Sequence, residues 1–281
     1  MDKLNLKRYA GYSWLLLGCV LFTKVSFAGE GLQIFTQLQQ GGLALGQIPS
    51  GYKVRYAGNF LKTTPNGTFI FGLGRDAPNT ITLSLINDRG INAEYQFGVK
   101  SRQYKVQSVT GVPQRTVTPS QSDMTRIRRD SARVKESRRG MSDNVEFLEG
   151  FKKPLDGPIS GVYGSQRVYN GIPKSPHYGV DYAASTGTLV FAPAAGEIKL
   201  ADADLFYSGG TIVMDHGFGL TSSFLHLSEI LVSVGQKVEQ GAPIGKVGAT
   251  GRSTGPHLDW RMNWLSVRID PQLVMQALPT P

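Results

Sequence analysis

A glycine-rich segment near the end of the chain reads Gly251-Arg252-Ser253-Thr254-Gly255-Pro256-His257-Leu258-Asp259-Trp260. Its glycines and proline predict a loop, and the residues after Pro256 predict a short strand. His257 and Asp259 are two positions apart, so a strand directs both side chains to one face. Leu258 and Trp260 then point to the opposite, apolar side. The segment therefore predicts a polar site on a strand whose other face lies in the core.

Two further histidine segments precede this one. His177-Tyr178-Gly179-Val180-Asp181 places an imidazole and a carboxylate four residues apart, and a strand would bring them to one face. Both groups are ligands for divalent ions such as zinc. In Phe224-Leu225-His226-Leu227 a single histidine lies among apolar neighbours. All four histidines follow residue 176, and the fourth, His216, has no partner motif, which favours a structural role.

Taken in order, these segments resemble the motifs of the lysostaphin-like, LytM-type zinc endopeptidases, which cut peptidoglycan cross-links. The resemblance extends from Gly157 to the C-terminus, nearly half of the chain. Three further stretches are similar to the family's opening strand and loop, a hairpin and one of its last turns; they are residues 157–167, 192–196 and 241–245. The resemblance implies an antiparallel β peptidase domain of the duplicated hybrid motif type over residues 151–281.

The resemblance also implies roles for single residues. His177, Asp181 and Asp259 occupy the positions of the ligands to one zinc ion, and His226 and His257 occupy the catalytic positions. The family has a histidine where this chain has Asp259. Because a second carboxylate lowers the charge of a bound divalent ion, Lewis acidity should fall and harder metals should compete better with zinc. Two functions therefore stay open: a peptidoglycan metalloendopeptidase, or a non-catalytic relative that binds peptidoglycan or activates another hydrolase.

The first half of the chain predicts a separate β domain. Residues 30–112 alternate apolar and polar positions, as at Tyr52, Val54 and Tyr56, which is typical of half-buried strands. Asn66-Gly67 before a run of apolar and β-branched residues predicts a hairpin turn. No histidine falls in this part, so we expect a small antiparallel, sandwich-like scaffold and not a catalytic domain.

Residues 113–150 predict a basic helical linker. Thr118 is the expected cap, with Pro119 as the first helical residue and Gln121 completing a capping box. From Thr118 onward, the basic residues of the segment number seven: Arg126, Arg128, Arg129, Arg133, Lys135, Arg138 and Arg139. A solvated helix between domains is the favoured interpretation, and contact with a membrane or an anionic cell-wall polymer is the alternative.

The N-terminus is typical of a secretory signal peptide over residues 1–28. Lys3, Lys7 and Arg8 precede an apolar run, and Ser26-Phe27-Ala28 supplies small residues before the expected cleavage point. Cys19, the only cysteine, makes a lipoprotein a minor alternative. We therefore expect a protein exported to the periplasm or cell envelope.

Composition is compatible with that location. Hydrophobic residues make up 40% and charged residues 18% of the 281 positions, which is a globular balance and excludes a largely disordered chain. The net charge of +9 suits an anionic surface such as a cell wall, whereas an exported protein rarely meets nucleic acid. The oligomeric state cannot be predicted from these features.

Overall fold

The structure is a computed structural model that describes residues 31–90 and 92–280. The predicted signal peptide and Cys19 lie outside the described residues. No helix in the described part of the chain has the length and apolar character needed to span a membrane.

The first part of the described chain forms eight strands, and seven of them lie in two short antiparallel sheets. Their bounds are β1 (Gln33–Ile34), β2 (Leu43–Gln47), β3 (Tyr52–Tyr56), β4 (Asn59–Phe60), β5 (Thr68–Gly72), β6 (Thr80–Asn87), β7 (Asn92–Gly98) and β8 (Val106–Val109). One sheet has the order β1-β2-β5 and another the order β4-β3-β6-β7. The Tyr56 ring of one sheet packs 4.6 Å from the Phe71 ring of the other. The predicted antiparallel, sandwich-like β structure is confirmed.

The basic segment forms two helices, α1 (Gln114–Val117) and α2 (Gln121–Ser137), followed by a 3-10 turn at Glu146–Glu149. The cap of α2 is Ser120 and not the expected Thr118. Ser120 accepts a hydrogen bond from the backbone N–H of Asp123, and the Asp123 carboxylate accepts from the Ser120 backbone. Aspartate at the third helical position therefore completes the capping box, because it reaches back to Ser120 as a glutamate or glutamine would.

Helix α2 packs on the second half of the protein through one face. Val134 contacts a small apolar cluster that includes Leu200 and Leu205. Arg126 and Arg133 form ion pairs with Asp204 and Asp202, at 2.8 and 2.6 Å. The helix is thus attached along its length and is not a free linker, although other basic residues on it face solvent.

The second part of the chain forms the remaining strands and the C-terminal helix. They are β9 (Ile159–Gly161), β10 (Gln166–Tyr169), β11 (Ile172–Pro173), β12 (Val180–Ala183), β13 (Leu189–Phe191), β14 (Gly196–Leu205), β15 (Gly209–Gly217), β16 (Leu220–Leu227), β17 (Glu229–Ile230), β18 (Lys237–Val238), β19 (Pro243–Lys246), β20 (His257–Trp264), β21 (Val267–Ile269) and α3 (Pro271–Ala277). The main sheet has the order β18-β14-β15-β16-β20-β12-β9, with β21 also paired to β20. This part is mostly antiparallel β, as the family resemblance implied.

The two parts are joined by a parallel strand pair and by a shared core. Strand β8 pairs in parallel with β10, from Val106↔Gln166 to Val109↔Tyr169. Apolar side chains of β2, β5 and β6 belong to the same buried cluster as those of β15, β16 and β20. An added Cβ at Gly72 of β5 would lie 2.9 Å from the Trp264 Cβ of β20, so these strands are in close contact.

Candidate metal centre

Two neighbouring strands place two carboxylates side by side. Asp181 of β12 and Asp259 of β20 are direct partners in the antiparallel ladder, so their side chains point to the same face. The adjacent residues Tyr182, Leu258 and Trp260 point the other way and are fully buried in the core. The alternation predicted for residues 257–260 is confirmed, and it holds the carboxylates on a rigid sheet.

His177 reaches the same point from a loop. The expectation that residues 177–181 lie on one strand is wrong, because β12 begins only at Val180. His177 is held by its backbone instead: its N–H donates to the Ser165 carbonyl at 2.8 Å, and its carbonyl accepts from the Gly164 N–H at 2.7 Å. Gly179 permits the approach, since a Cβ there would lie 2.3 Å from Asp259 Oδ1.

The three side chains converge on a common point. His177 Nε2 lies 3.0 Å from Asp181 Oδ1 and 3.5 Å from Asp259 Oδ2, and all three residues are buried. Nδ1 of His177 lies 3.4 Å from the Val162 carbonyl, which favours the tautomer with a lone pair on Nε2. Three ligand atoms of His177, Asp181 and Asp259 lie within 4.8 Å of one another.

The donor set fits a small divalent cation. Asp181 Oδ1 is buried without a hydrogen-bond partner, which is costly for a carboxylate oxygen. A tetrahedral ion with bonds of about 2.0–2.2 Å separates its ligand atoms by roughly 3.3 Å. The distances from His177 Nε2 to the two carboxylate oxygens, 3.0 and 3.5 Å, are close to this value. One imidazole nitrogen and two carboxylate oxygens are ligand types that zinc accepts.

Each carboxylate also has an arginine partner that the sequence analysis did not single out. Arg167 of β10 donates to Asp181 Oδ2 at 3.0 Å. Arg261 donates to both oxygens of Asp259, with its Nε 3.0 Å from each. Arg261 is two residues after Asp259 on β20. The same alternation that places His257 and Asp259 on one face could therefore have predicted that Arg261 lies on this face as well. No comparable signal pointed to Arg167, which is 14 residues from Asp181 in sequence.

These charges shift the pKa values of the cluster. Burial raises the pKa of Asp259, but Arg261 and His177 outweigh burial and hold it well below the usual range. Burial also raises the pKa of Asp181, but the charge of His177 outweighs burial. The pKa of Asp181 therefore lies below its usual value. Burial lowers the pKa of His177, but the carboxylates of Asp259 and Asp181 raise it above its usual value. Both carboxylates are therefore ionised at neutral pH.

His226 and His257 lie beside each other at this site. Their ring centroids are 4.8 Å apart. Nδ1 of His226 lies 2.7 Å from the Thr250 carbonyl, and Nδ1 of His257 lies 2.9 Å from the Gly255 carbonyl. Each Nδ1 thus has a backbone partner. His226 has a φ of 66°, a left-handed conformation that is uncommon for residues other than glycine and is often found at functional sites.

The remaining histidine has a different environment. His216 is fully buried, with Nδ1 2.8 Å from the Ala195 carbonyl and Nε2 2.8 Å from Ser222 Oγ. Both ring nitrogens are occupied inside the protein, so His216 offers no ligand atom and agrees with the structural role expected for it.

Comparisons with known proteins agree with this geometry. The model of peptidase family M23 matches residues 175–271, a range that contains His177, Asp181, His226, His257 and Asp259. A crystal structure from Pseudomonas aeruginosa, described as a peptidase M23, is 31% identical, with a TM-score of 0.66 over 86% of this chain and 96% of that chain. The chain belongs to peptidase family M23.

Curated M23 relatives include named cell-wall hydrolases. Peptidoglycan DD-endopeptidase ShyA of Vibrio cholerae is 42% identical over 103 residues, which is 37% of this chain and 23% of that protein. DD-carboxypeptidase/endopeptidase Mpg of Neisseria meningitidis is 41% identical over 105 residues, or 37% of this chain and 24% of that protein. This chain therefore spans about a quarter of the length of these relatives.

The cluster of His177, Asp181 and Asp259 lies in a groove of about 1000 Å³. Its walls include α2 and the loop of residues 252–257, and strand β8 contributes Gln107 and Val109. Besides Arg167 and Arg261, four more arginines line it: Arg138, Arg139, Arg252 and Arg268. Of these four, Arg139 is ion-paired with Glu136. Sequence analysis placed Arg138 in the basic segment but did not connect it with the site, because that connection depends on how α2 packs.

Proposed function

We propose that this protein is an exported, zinc-dependent metalloendopeptidase that hydrolyses peptide cross-links of peptidoglycan. The observation that carries the proposal is the convergence of His177 Nε2, Asp181 Oδ1 and Asp259 Oδ2 in a groove. Membership of family M23 supports peptidase chemistry, and the peptidoglycan hydrolases among the relatives support the substrate class. Export to the periplasm is inferred from residues 1–28, with lipidation of Cys19 as the alternative.

In the proposed site, His177, Asp181 and Asp259 hold the zinc ion. Bound zinc would supply Lewis acidity, which polarises the scissile carbonyl and makes water a better nucleophile near pH 7. His226 is neutral at that pH, because burial lowers its pKa to about 4. With a proton on Nδ1 held by the Thr250 carbonyl, its Nε2 is free to accept the proton of the attacking water.

We assign to His257 the role of stabilising the oxygen of the scissile carbonyl group. Its ring lies next to that of His226 on the same side of the carboxylate pair. With a proton on both ring nitrogens, His257 would donate from Nδ1 to the Gly255 carbonyl and from Nε2 to this oxygen as it gains negative charge in the tetrahedral transition state. The fixed Nδ1 contact with Gly255 orients the ring for that interaction.

A second candidate function is the non-catalytic one, and Arg261 favours it. Both oxygens of Asp259 accept hydrogen bonds from this guanidinium, which competes with a metal for the same lone pairs. The same contact also argues for activity. Replacing the family's histidine by Asp259 adds one negative charge, and Arg261 adds one positive charge beside it. Arg261 thus balances the added negative charge in this chain, which offsets the fall in Lewis acidity expected from a second carboxylate.

The first test is digestion of peptidoglycan. Purified protein is incubated with sacculi, with added zinc and with a chelator, and the released fragments are analysed. The proposal expects zinc-dependent release of peptide-cleaved fragments, with release and metal content both lost in His177→Ala and Asp181→Ala. Protein that binds sacculi and metal but releases no fragments would support the non-catalytic function instead.

A second test separates catalytic from ligand residues. His226→Ala removes the proposed proton acceptor but no ligand, so turnover should fall by roughly 10² or more while metal content stays at the parental level. Metal content is measured on the same samples by elemental analysis. Loss of metal in His226→Ala together with retention in Asp259→Ala would show that these two roles are exchanged.

A further inference from the structure

Three arginines of the groove have no carboxylate partner among the described residues. Arg167 and Arg261 are ion-paired with Asp181 and Asp259. For Arg138, Arg252 and Arg268, by contrast, no carboxylate of the described chain lies within ion-pair distance, although all three line the groove. Arginine stays protonated in proteins, so the groove carries an excess of positive charge beside the metal centre.

Two of these arginines meet at one end of the groove. The Arg138 guanidinium donates to Ser223 Oγ at 2.9 Å, and Ser223 is the ladder partner of Arg261. Arg268 of β21 is the ladder partner of Asn263, two residues beyond Arg261 on β20. Helix α2 and strand β21 thus place Arg138 and Arg268 on either side of the same strand, next to the Asp259–Arg261 pair.

The positive charges at this end of the groove act on one another. Burial, together with the charges of Arg268 and Arg261, lowers the pKa of Arg138 to about 9. Burial and the charge of Arg261 lower the pKa of Arg268 to about 10, although Asp259 acts in the opposite direction. Like charges held together in a partly desolvated groove are unfavourable unless an anion neutralises them.

Two buried polar atoms at this end also lack partners. Arg138 Nε and Asn263 Oδ1 make no hydrogen bond, and both residues line the groove. A buried N–H without an acceptor is rare in native proteins and calls for a ligand or water. The Arg138 N–H is a donor for an oxyanion, and Asn263 Oδ1 is an acceptor for a neighbouring amide N–H. A peptide that ends in a carboxylate offers both groups together.

We propose that Arg138 and Arg268 form a subsite for a free carboxylate of the peptide substrate. Arginine guanidinium binds carboxylates through paired hydrogen bonds, which suits this subsite. Arg268 also lies over the ring of Tyr178, which directly follows His177, at 5.7 Å. The inference rests on the proposed function for its substrate class, and it makes anionic peptides with a free carboxylate the preferred substrates.

Binding is the decisive measurement, because it does not require turnover. An N-acetylated, fluorescently labelled pentapeptide that ends in D-Ala-D-Ala is titrated into chelator-treated protein, as the free acid and as the C-terminal amide. We expect the acid to bind at least 10-fold more tightly than the amide. Arg138→Gln and Arg268→Gln should each remove most of that difference, and Arg138→Lys should keep part of it because the charge remains.

Arg128→Gln is the matched control. Arg128 lies on α2, the helix that Arg138 caps at its C-terminus, and carries the same charge, but it is exposed and does not line the groove. This variant should bind both peptides as the parent does. Melting temperatures of all variants show that each is folded, and Arg268→Gln tests the subsite from β21 if Arg138→Gln disturbs α2.

Several outcomes would overturn the inference. Equal binding of acid and amide by the parent would do so, as would equal losses in Arg138→Gln and Arg128→Gln. Inorganic phosphate is added as a competitor of the labelled peptide acid. Displacement of the peptide by phosphate at a lower concentration than the peptide acid itself would show a phosphate site instead. Parent protein that binds the acid selectively but releases no fragments from sacculi would contradict only the hydrolase proposal. Protein that digests sacculi without preferring the acid would contradict only the carboxylate subsite.

Discussion

At the scale of single residues, Asp259 and Arg261 act as one unit. Each side chain supplies the opposite charge and the hydrogen-bond partner of the other. Replacing one of them alone therefore leaves a largely buried charge without its partner. The family's histidine cannot therefore be restored at position 259 without considering position 261. This coupling was not part of the expectation drawn from the sequence, where Asp259 was treated as an isolated replacement.

A double-mutant cycle tests the coupling. Asp259→His leaves Arg261 without its carboxylate, and we expect the free energy of unfolding to fall by roughly 2–4 kcal/mol, less than for a fully buried pair because Arg261 is partly exposed. Asp259→His/Arg261→Gln should regain at least half of this loss and bind zinc more tightly than the single variant. Stability is measured by urea denaturation and zinc affinity by competition with a chromophoric chelator. Additive effects of the two changes would contradict the coupling.

His216 predicts a dependence of stability on pH. Burial lowers its pKa to about 4 in the folded protein, so an unfolded chain binds a proton there between about pH 6.5 and pH 4 that the folded protein does not. The stability contribution of neutral His216 is complete above pH 6.5 and is lost as the pH falls, by about 2 kcal/mol at pH 5. Urea denaturation at pH 7 and pH 5 should show a smaller loss in His216→Gln than in the parent. An identical loss in the two proteins would show that His216 does not contribute.

At the scale of elements, α2 depends on its capping box. Ser120→Ala removes the side-chain acceptor for the Asp123 N–H, and we expect a loss of about 1 kcal/mol in the free energy of unfolding. Thr118→Ala is the control, because Thr118 lies before the helix and its hydroxyl contacts only Gln114 of α1. Urea denaturation should rank Ser120→Ala below Thr118→Ala in stability. A larger loss of stability in Thr118→Ala than in Ser120→Ala would instead support Thr118 as the cap of α2.

The elements also show what sequence patterns can predict. Alternation of apolar and polar residues predicted strands β6 and β20 correctly. Burial of alternate side chains, such as Leu83 and Leu258, is a local property of a strand and can be recognised in the sequence. The five site residues identified from the histidine motifs all line one groove in the structure. Arg167 and Arg138 were not connected with the site, since their positions depend on strand and helix packing between segments distant in sequence. The loop conformation of His177 was missed for the same reason.

At the scale of the whole molecule, both parts of the described chain share one core. The sequence suggested separate domains at residues 30–112 and 151–281, but the buried residues of the two parts form a continuous cluster. A shared core makes independent unfolding of either part costly, because the apolar surface of the other would be exposed to water.

Calorimetry tests this cooperativity. We expect one unfolding transition for the protein, with a calorimetric enthalpy equal to the van't Hoff enthalpy. A truncated chain that begins at residue 113 should melt at a lower temperature and expose apolar surface to a dye such as ANS, because Trp264 loses its contact with β5. Two separate transitions in the parent, or an unchanged melting temperature after truncation, would favour independent domains.

The loop that carries His177 is held in part by residues far away in sequence. Arg75 donates to the Gly164 carbonyl at 2.8 Å, and its guanidinium lies 4.3 Å from the centre of the Tyr104 ring. Gly164 in turn donates to the carbonyl of His177. We therefore expect a substitution of Arg75 to shift the position of His177 although Arg75 does not contact the histidine. Over evolutionary time, Arg75 and Tyr104 should therefore change together with the loop at Gly164, and homologues that lack this N-terminal region must have found another anchor for the same histidine.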